Sequence, residues 1–159
     1  MISQAYSGFA TTYPPPPVLG TGVSVGGTTT NGVAEELTLK ANEVARKKSD
    51  FLEGTYAVHG IEEVITDKDI LIIIDPYPQE ENKFRDVIIN KIGTPIIAIT
   101  HNPSSFPTMQ LPEYDGFNSY LQLAAGWNLL VETGLMNEID LDHTQRARKI
   151  GNEYETKNQ

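Results

Sequence analysis

Two short runs do most to limit what this chain can fold into. Residues 69–75 read Asp-Ile-Leu-Ile-Ile-Ile-Asp and residues 95–100 read Pro-Ile-Ile-Ala-Ile-Thr. Consecutive β-branched residues favour an extended backbone, and neither run alternates between apolar and polar. A strand of this kind is apolar on both faces, so it must be covered on both, as in a parallel sheet between helices. Helical spacing fills the gaps. Ala34, Leu37, Ala41 and Val44 form one stripe of a helix expected over 33–47, with Asn31 as its cap. A short helix is expected over 57–65. Another runs from Pro78 to Ile92, with Phe84, Val87, Ile88 and Ile92 on one side. Residues 116–134 form a helix apolar almost all round, which predicts burial on more than one side. Alternating strands and helices define an α/β class: a three-layer α/β/α domain with a mainly parallel sheet. Ligands of such sheets sit beyond the carboxyl ends of the strands, so the loops after Leu19, Asp75 and Thr100 form the expected functional edge.

The 159 residues suit one domain with a real core. Residues 1–17 lack periodicity and end in four prolines, a tail or linker ahead of a domain over 18–155. A net charge of −9 argues against a nucleic-acid partner, which requires a basic surface. It leaves room for a small phosphorylated ligand, because a helix N-terminus binds an anion locally. No apolar run is long enough for a membrane helix, and the first residues lack a signal-peptide pattern. With no cysteine there is no disulfide framework and no thiolate metal site. The expectation is a cytoplasmic protein.

Several residues could carry chemistry. Glu36, Lys40 and Glu43 share one helix face, either as a solvated ion-paired surface or as the setting of a carboxylate general base. His59 lies between Gly54 and Gly60, His101 follows a strand on the functional edge, and His143 sits in a charged tail. Each histidine is a candidate acid–base group or an ordinary satisfied polar residue. No pair has metal-ligand spacing, and no nucleophile elbow is present. The stretch Gly20-Thr21-Gly22, with Gly26, Gly27 and Thr28–Thr30 before the helix, is either a phosphate cradle or a surface loop.

Residues 36–60, ELTLKANEVARKKSDFLEGTYAVHG, resemble the second half of sugar isomerase (SIS) proteins. That group includes the isomerase domain of glutamine–fructose-6-phosphate aminotransferase and the sugar-phosphate deglycases. The likeness rests on a helix of pattern E-x-x-L-K-x-x-E followed by a glycine-rich turn and His-Gly. Glu43 and His59 stand sixteen residues apart, as in the family. Residues 139–155, IDLDHTQRARKIGNEYE, resemble the family's tail, a D-x-D followed seven residues later by lysine: Asp140, Asp142 and Lys149. Residues 120–134 look like its final buried helix. The chain departs from the pattern at Ile61 and Thr144, where the family has proline, and at Tyr56, commonly acidic. It also holds one such domain where the family normally has two.

The resemblance implies a flavodoxin-like SIS domain acting on a phosphorylated sugar as an aldose–ketose isomerase, or on a fructosamine phosphate as a deglycase. In that scheme Glu43, partly buried and with its pKa raised, moves a proton between C1 and C2. His59 protonates the ring oxygen or leaving group, and Lys149 forms an imine or stabilises developing charge. Gly20, Thr21, Gly22, Thr28 and Asp142 contribute to substrate binding. The scheme requires neither metal nor organic cofactor. In related dimers the histidine reaches the neighbouring subunit's site, which implies a homodimer or a first-half SIS chain as partner. Two other readings stand beside the enzyme: a non-catalytic sugar-phosphate-binding regulatory module, and a structural partner chain.

Overall fold

The computed structural model describes residues 31–146, together with the backbone of 23–27. Five strands form one parallel sheet: β1 (Val23–Gly27), β2 (Ser49–Glu53), β3 (Ile70–Ile74), β4 (Ile96–Thr100) and β5 (Thr108–Gln110). Their order is β2-β1-β3-β4-β5, so the winding reverses between β1 and β3. Three longer helices cover the sheet. They are α1 (Asn31–Glu43), α2 (α-helical over Glu81–Phe84, widening to a π-helix over Arg85–Ile92) and α3 (Asn118–Met136).

The isoleucine strand behaves as its composition demands, with all five residues of β3 buried. Ile70, Ile72 and Ile74 pack with Val33, Ala34, Leu37 and Ala41 of α1 and Ala125 and Leu130 of α3. Leu71 and Ile73 face the other way, into Phe84 and Ile88 of α2 and Ala57 and Val58 after β2. These two apolar clusters, one on each face, make the three-layer architecture that the strand pattern predicts. Helix α1 approaches α3 closely. A Cβ at Gly126 would lie 2.4 Å from Leu37 Cδ1, so glycine is what allows the contact.

Several expectations change. The glycine- and threonine-rich stretch contains an interior strand: β1 runs through Val23–Gly27, between Gly22 and Thr28. A five-residue strand is about 13 Å long, so its two ends open on opposite edges of the sheet. β2 and β5 also escape the sequence reading, as a half-polar SDFLE and a three-residue TMQ. The helix expected over 57–65 is two single 3-10 turns, Tyr56–Val58 and Ile61–Glu63, broken where Gly60 takes φ 110°. Helix α1 stops at Glu43 rather than 47. The Asn42 side chain exchanges hydrogen bonds with the Ser49 backbone, and Arg46 at φ 50° turns the chain into β2. Helix α3 buries one side only, leaving Tyr120, Trp127, Val131 and Leu135 exposed. The proline tail at 1–17 lies outside the described residues.

Candidate functional site

The carboxyl ends of the parallel strands form one rim, and side chains from four segments meet there. After β2, Glu53, Thr55, Tyr56 and His59 line a shallow cleft. Asn31, the first residue of α1, donates its side-chain amide to Glu53 Oε1 at 3.0 Å. His59 is exposed, and its Nε2 lies 3.0 Å from Lys83 Nζ on α2. An ammonium can only donate, so the imidazole nitrogen accepts and the ring's proton sits on Nδ1.

After β3 the chain reaches Asp75 in a left-handed conformation, φ 48°, immediately before Pro76. A proline disfavours helical conformations of either hand in the residue before it, and a non-glycine residue with positive φ is uncommon. Side-chain bonds hold the carboxylate there. Thr100 Oγ1 donates to Oδ1 at 2.8 Å, and Gln122 Nε2 on α3 donates to Oδ2 at 2.6 Å. The first residue after β4, His101, places Nδ1 3.7 Å from Asp75 Oδ1. Gln110 Nε2 holds the His101 carbonyl at 2.7 Å. Gln122 is fully buried, yet its Oε1 has no hydrogen-bond partner, and neither has His101 Nδ1. Buried polar atoms are nearly always satisfied, and these two share that exception with Asn31 Oδ1, Thr38 Oγ1 and Ser49 Oγ.

Beneath the rim, Glu81 ties α2 to the loop after β4. Its carboxylate accepts from Ser104 Oγ at 2.7 Å and from the Ser105 N–H at 2.8 Å. Burial alone would raise its pKa. The Ser105 and Ser104 hydrogen bonds, with the Arg85 charge, outweigh burial and hold it below the ordinary glutamate range.

Glu43 lies at the other end of the molecule. Helix α1 runs antiparallel beside β2, its start touching Glu53 and its penultimate residue touching Ser49. Thirteen helical residues span about 18 Å, so Glu43 sits at the amino ends of the strands and His59 past their carboxyl ends. The carboxylate of Glu43 is not partly buried as expected. Its side chain is 53% exposed, and Lys40 Nζ donates to it at 2.6 Å. Glu43, then burial acting oppositely, then Glu36 set the balance that raises the Lys40 pKa. Asp142 is exposed on this same edge. Arg46 donates to the carbonyls of Asp140 at 2.7 Å and His143 at 2.6 Å, which pins the D-x-D segment just beyond the end of α1. The fold therefore places Glu43 and the segment holding Asp142 on one edge of the sheet and keeps His59 apart from both. Gly20, Thr21, Gly22, Thr28 and Lys149 lie outside the described residues.

Asp75, Gln122 and Lys83 were not singled out from sequence. The one available signal was an Asp-Pro pair directly after a doubly buried strand. Gln122, inside an apolar helix, gave none. Among the described residues no group of acidic or histidine side chains is placed to hold a metal ion, and no helix is long and apolar enough to cross a membrane.

The chain has the SIS fold. The likeness is structural: no protein-family model and no curated protein matches the sequence. A protein from Bacteroides fragilis NCTC 9343, described as a phosphosugar isomerase involved in capsule formation, superposes with a TM-score of 0.62 at 17% identity, over 89% of this chain and 90% of that one. The tagatose-6-phosphate ketose/aldose isomerase of Escherichia coli gives 0.62 at 18% identity, over 92% of this chain and 45% of its own. The sugar isomerase domain of an RpiR transcription factor from Sphaerobacter thermophilus gives 0.59 at 17% identity, over 85% and 79%. The chain thus spans 39–45% of several longer proteins with this fold, and most of others.

Proposed function

We propose that this chain acts on the open-chain form of a phosphorylated sugar, as an aldose–ketose isomerase or a fructosamine-phosphate deglycase, through an enediol or enolamine. The fold carries this reading: it is shared with proteins named as phosphosugar isomerases, and it places His59 on the rim where ligands of such sheets bind. Glu43 is assigned the proton transfer at carbon, His59 ring opening or leaving-group protonation, and Lys149 the carbonyl. Gly20, Thr21, Gly22, Thr28 and Asp142 are assigned to binding. Because Glu43 and His59 occupy opposite ends of one chain, a complete site on these assignments needs a second copy or a first-half SIS chain. Sharing would put the Glu43 of one chain against the rim of the other.

The test is exchange of the C2 proton of glucose 6-phosphate and of a C1 proton of fructose 6-phosphate with D₂O, followed by NMR. Exchange by the wild-type protein that is lost in Glu43→Gln supports the assignment. A second reading, a sugar-phosphate-sensing module, is favoured by the exposed, ion-paired state of Glu43 and by the RpiR relative. It predicts saturable sugar-phosphate binding without exchange.

A further inference from the structure

Enediol chemistry requires two proton transfers, one at carbon and one between the neighbouring oxygens. The assignments above supply a group for the first and leave the second without one. We propose that His101 makes this second transfer, as a catalytic acid–base at the substrate's O1 and O2, and that Asp75 is its positioning residue. The proposal rests on the isomerase reading of the preceding section.

Four observations point to it. His101 and Asp75 follow adjacent strands, β4 and β3, on the rim beside the reversal of winding, where doubly wound sheets bind their ligands. The imidazole presents Nδ1 to the Asp75 carboxylate at 3.7 Å, while its Nε2 lies 3.2 Å from the side-chain amide of exposed Asn102. An amide N–H donating to Nε2 leaves the ring proton on Nδ1, facing the carboxylate, and Nε2 as the outward base. The carboxylate is itself fixed by Thr100 and Gln122, in a backbone conformation that a residue before proline rarely takes. Strain of this kind persists where surrounding structure enforces it, and it gathers at functional sites. Finally, Nδ1 of His101 is buried without a partner although the Asp75 carboxylate lies 3.7 Å away, so the bond that would join them is still to be made. Hydrogen bonds at catalytic groups are often long without ligand and tighten in the complex. A ligand hydroxyl that displaces the Asn102 amide at Nε2 would let Nδ1–H close on Asp75.

The balance for an aldose is as follows. The C2 proton leaves for the carbon base while the imidazolium of His101 gives its Nε2 proton to O1, forming the enediol. Neutral Nε2 then takes the O2 proton as the carbon base returns a proton to C1, giving the ketose. No oxidant or reductant is needed, and Asp75 stabilises the imidazolium without being protonated.

The experiment measures C2–deuterium exchange on glucose 6-phosphate with the full chain, comparing wild type, His101→Gln, Asp75→Asn and Glu43→Gln. Circular dichroism checks that each is folded. ¹⁵N spectra of the imidazoles, assigned by the loss of one signal in His101→Gln, read the tautomer. Expected is a loss of about 100-fold or more in kcat for His101→Gln with KM little changed. Asp75→Asn should lower kcat less and shift neutral His101 away from the Nδ1–H tautomer, a change that a merely structural aspartate would not produce. Exchange in His101→Gln within threefold of wild type overturns the inference and leaves the isomerase reading standing. An Nε2–H tautomer at His101 in the wild type also overturns it. No exchange in any protein, wild type included, removes the isomerase reading in which a second copy of this chain completes the site, and this inference with it.

Discussion

The seam between α1 and α3 offers a test in which two effects of opposite sign compete. Gly126 lies within α3, away from either end, where replacing glycine by alanine is worth about 1 kcal/mol in helix propensity. Against that, the new Cβ would stand 2.4 and 2.5 Å from Leu37 Cδ1 and Cδ2 and 3.0 Å from Cγ. Leu37 is 1% exposed and hemmed in by the β3 isoleucines, so its methyls cannot swing into solvent. Overpacking of a buried site typically costs about 1–3 kcal/mol. Gly126→Ala is therefore expected to destabilise the fold by roughly 1 kcal/mol net, the difference of those two terms. Leu37→Ala alone should cost about 2–5 kcal/mol. In that background the clash disappears, and Gly126→Ala should become stabilising by about 1 kcal/mol. The double-mutant cycle thus carries a coupling of roughly 2 kcal/mol. Urea unfolding followed by far-UV circular dichroism measures it, with the fluorescence of Trp127, the sole tryptophan, as a second probe. A stabilising Gly126→Ala in the wild-type background, or additivity within about 0.5 kcal/mol, would refute the close approach of the two helices.

Glu81 has its pKa depressed in the fold, so the stability it contributes is present above the ordinary glutamate pKa and is lost as pH falls through the folded value. Glu81→Gln should lower stability at neutral pH by about 1–2 kcal/mol, and the gap to wild type should close in acid, as read by urea midpoints from pH 7 to 3. A gap independent of pH would show that the carboxylate's charge has no part in holding the Ser104–Ser105 loop. Thr94, wholly buried, donates Oγ1 to the Thr66 carbonyl at 2.8 Å, tying the end of α2 to the turn before β3. Thr94→Val keeps the shape and removes this hydrogen bond while the Thr66 carbonyl keeps the Asp69 N–H at 3.1 Å, with an expected loss of about 0.5–1.5 kcal/mol in thermal or urea unfolding. No loss would mean that water replaces the hydroxyl.

The two isoleucine strands were legible because their chemistry is independent of their neighbours: a segment apolar on both faces must be covered on both, whatever covers it. The stripe of α1 was legible for a similar reason, since Ala34, Leu37 and Ala41 repeat at helical spacing and bury as a line. From those elements the layered α/β class followed without any tertiary knowledge. Pairing decided the rest. Val-Ser-Val-Gly-Gly becomes the interior strand β1 only because β2 and β3 supply ladders on both sides of it, and a glycine-rich stretch shows no local preference for that. The half-polar β2 is a strand because it sits at the edge of the sheet. The site divides in the same way. Sixteen residues separate Glu43 from His59 along the chain, but a strand lies between them, so spacing that looks like proximity becomes separation across the sheet. Asp75 and Gln122, forty-seven residues apart, meet at 2.6 Å because β3 ends and α3 begins on the same rim. The sequence by itself determined which segments had to be buried. Only the tertiary structure decided which polar side chains face one another, because that depends on the order and direction of strands whose local sequences do not encode their partners.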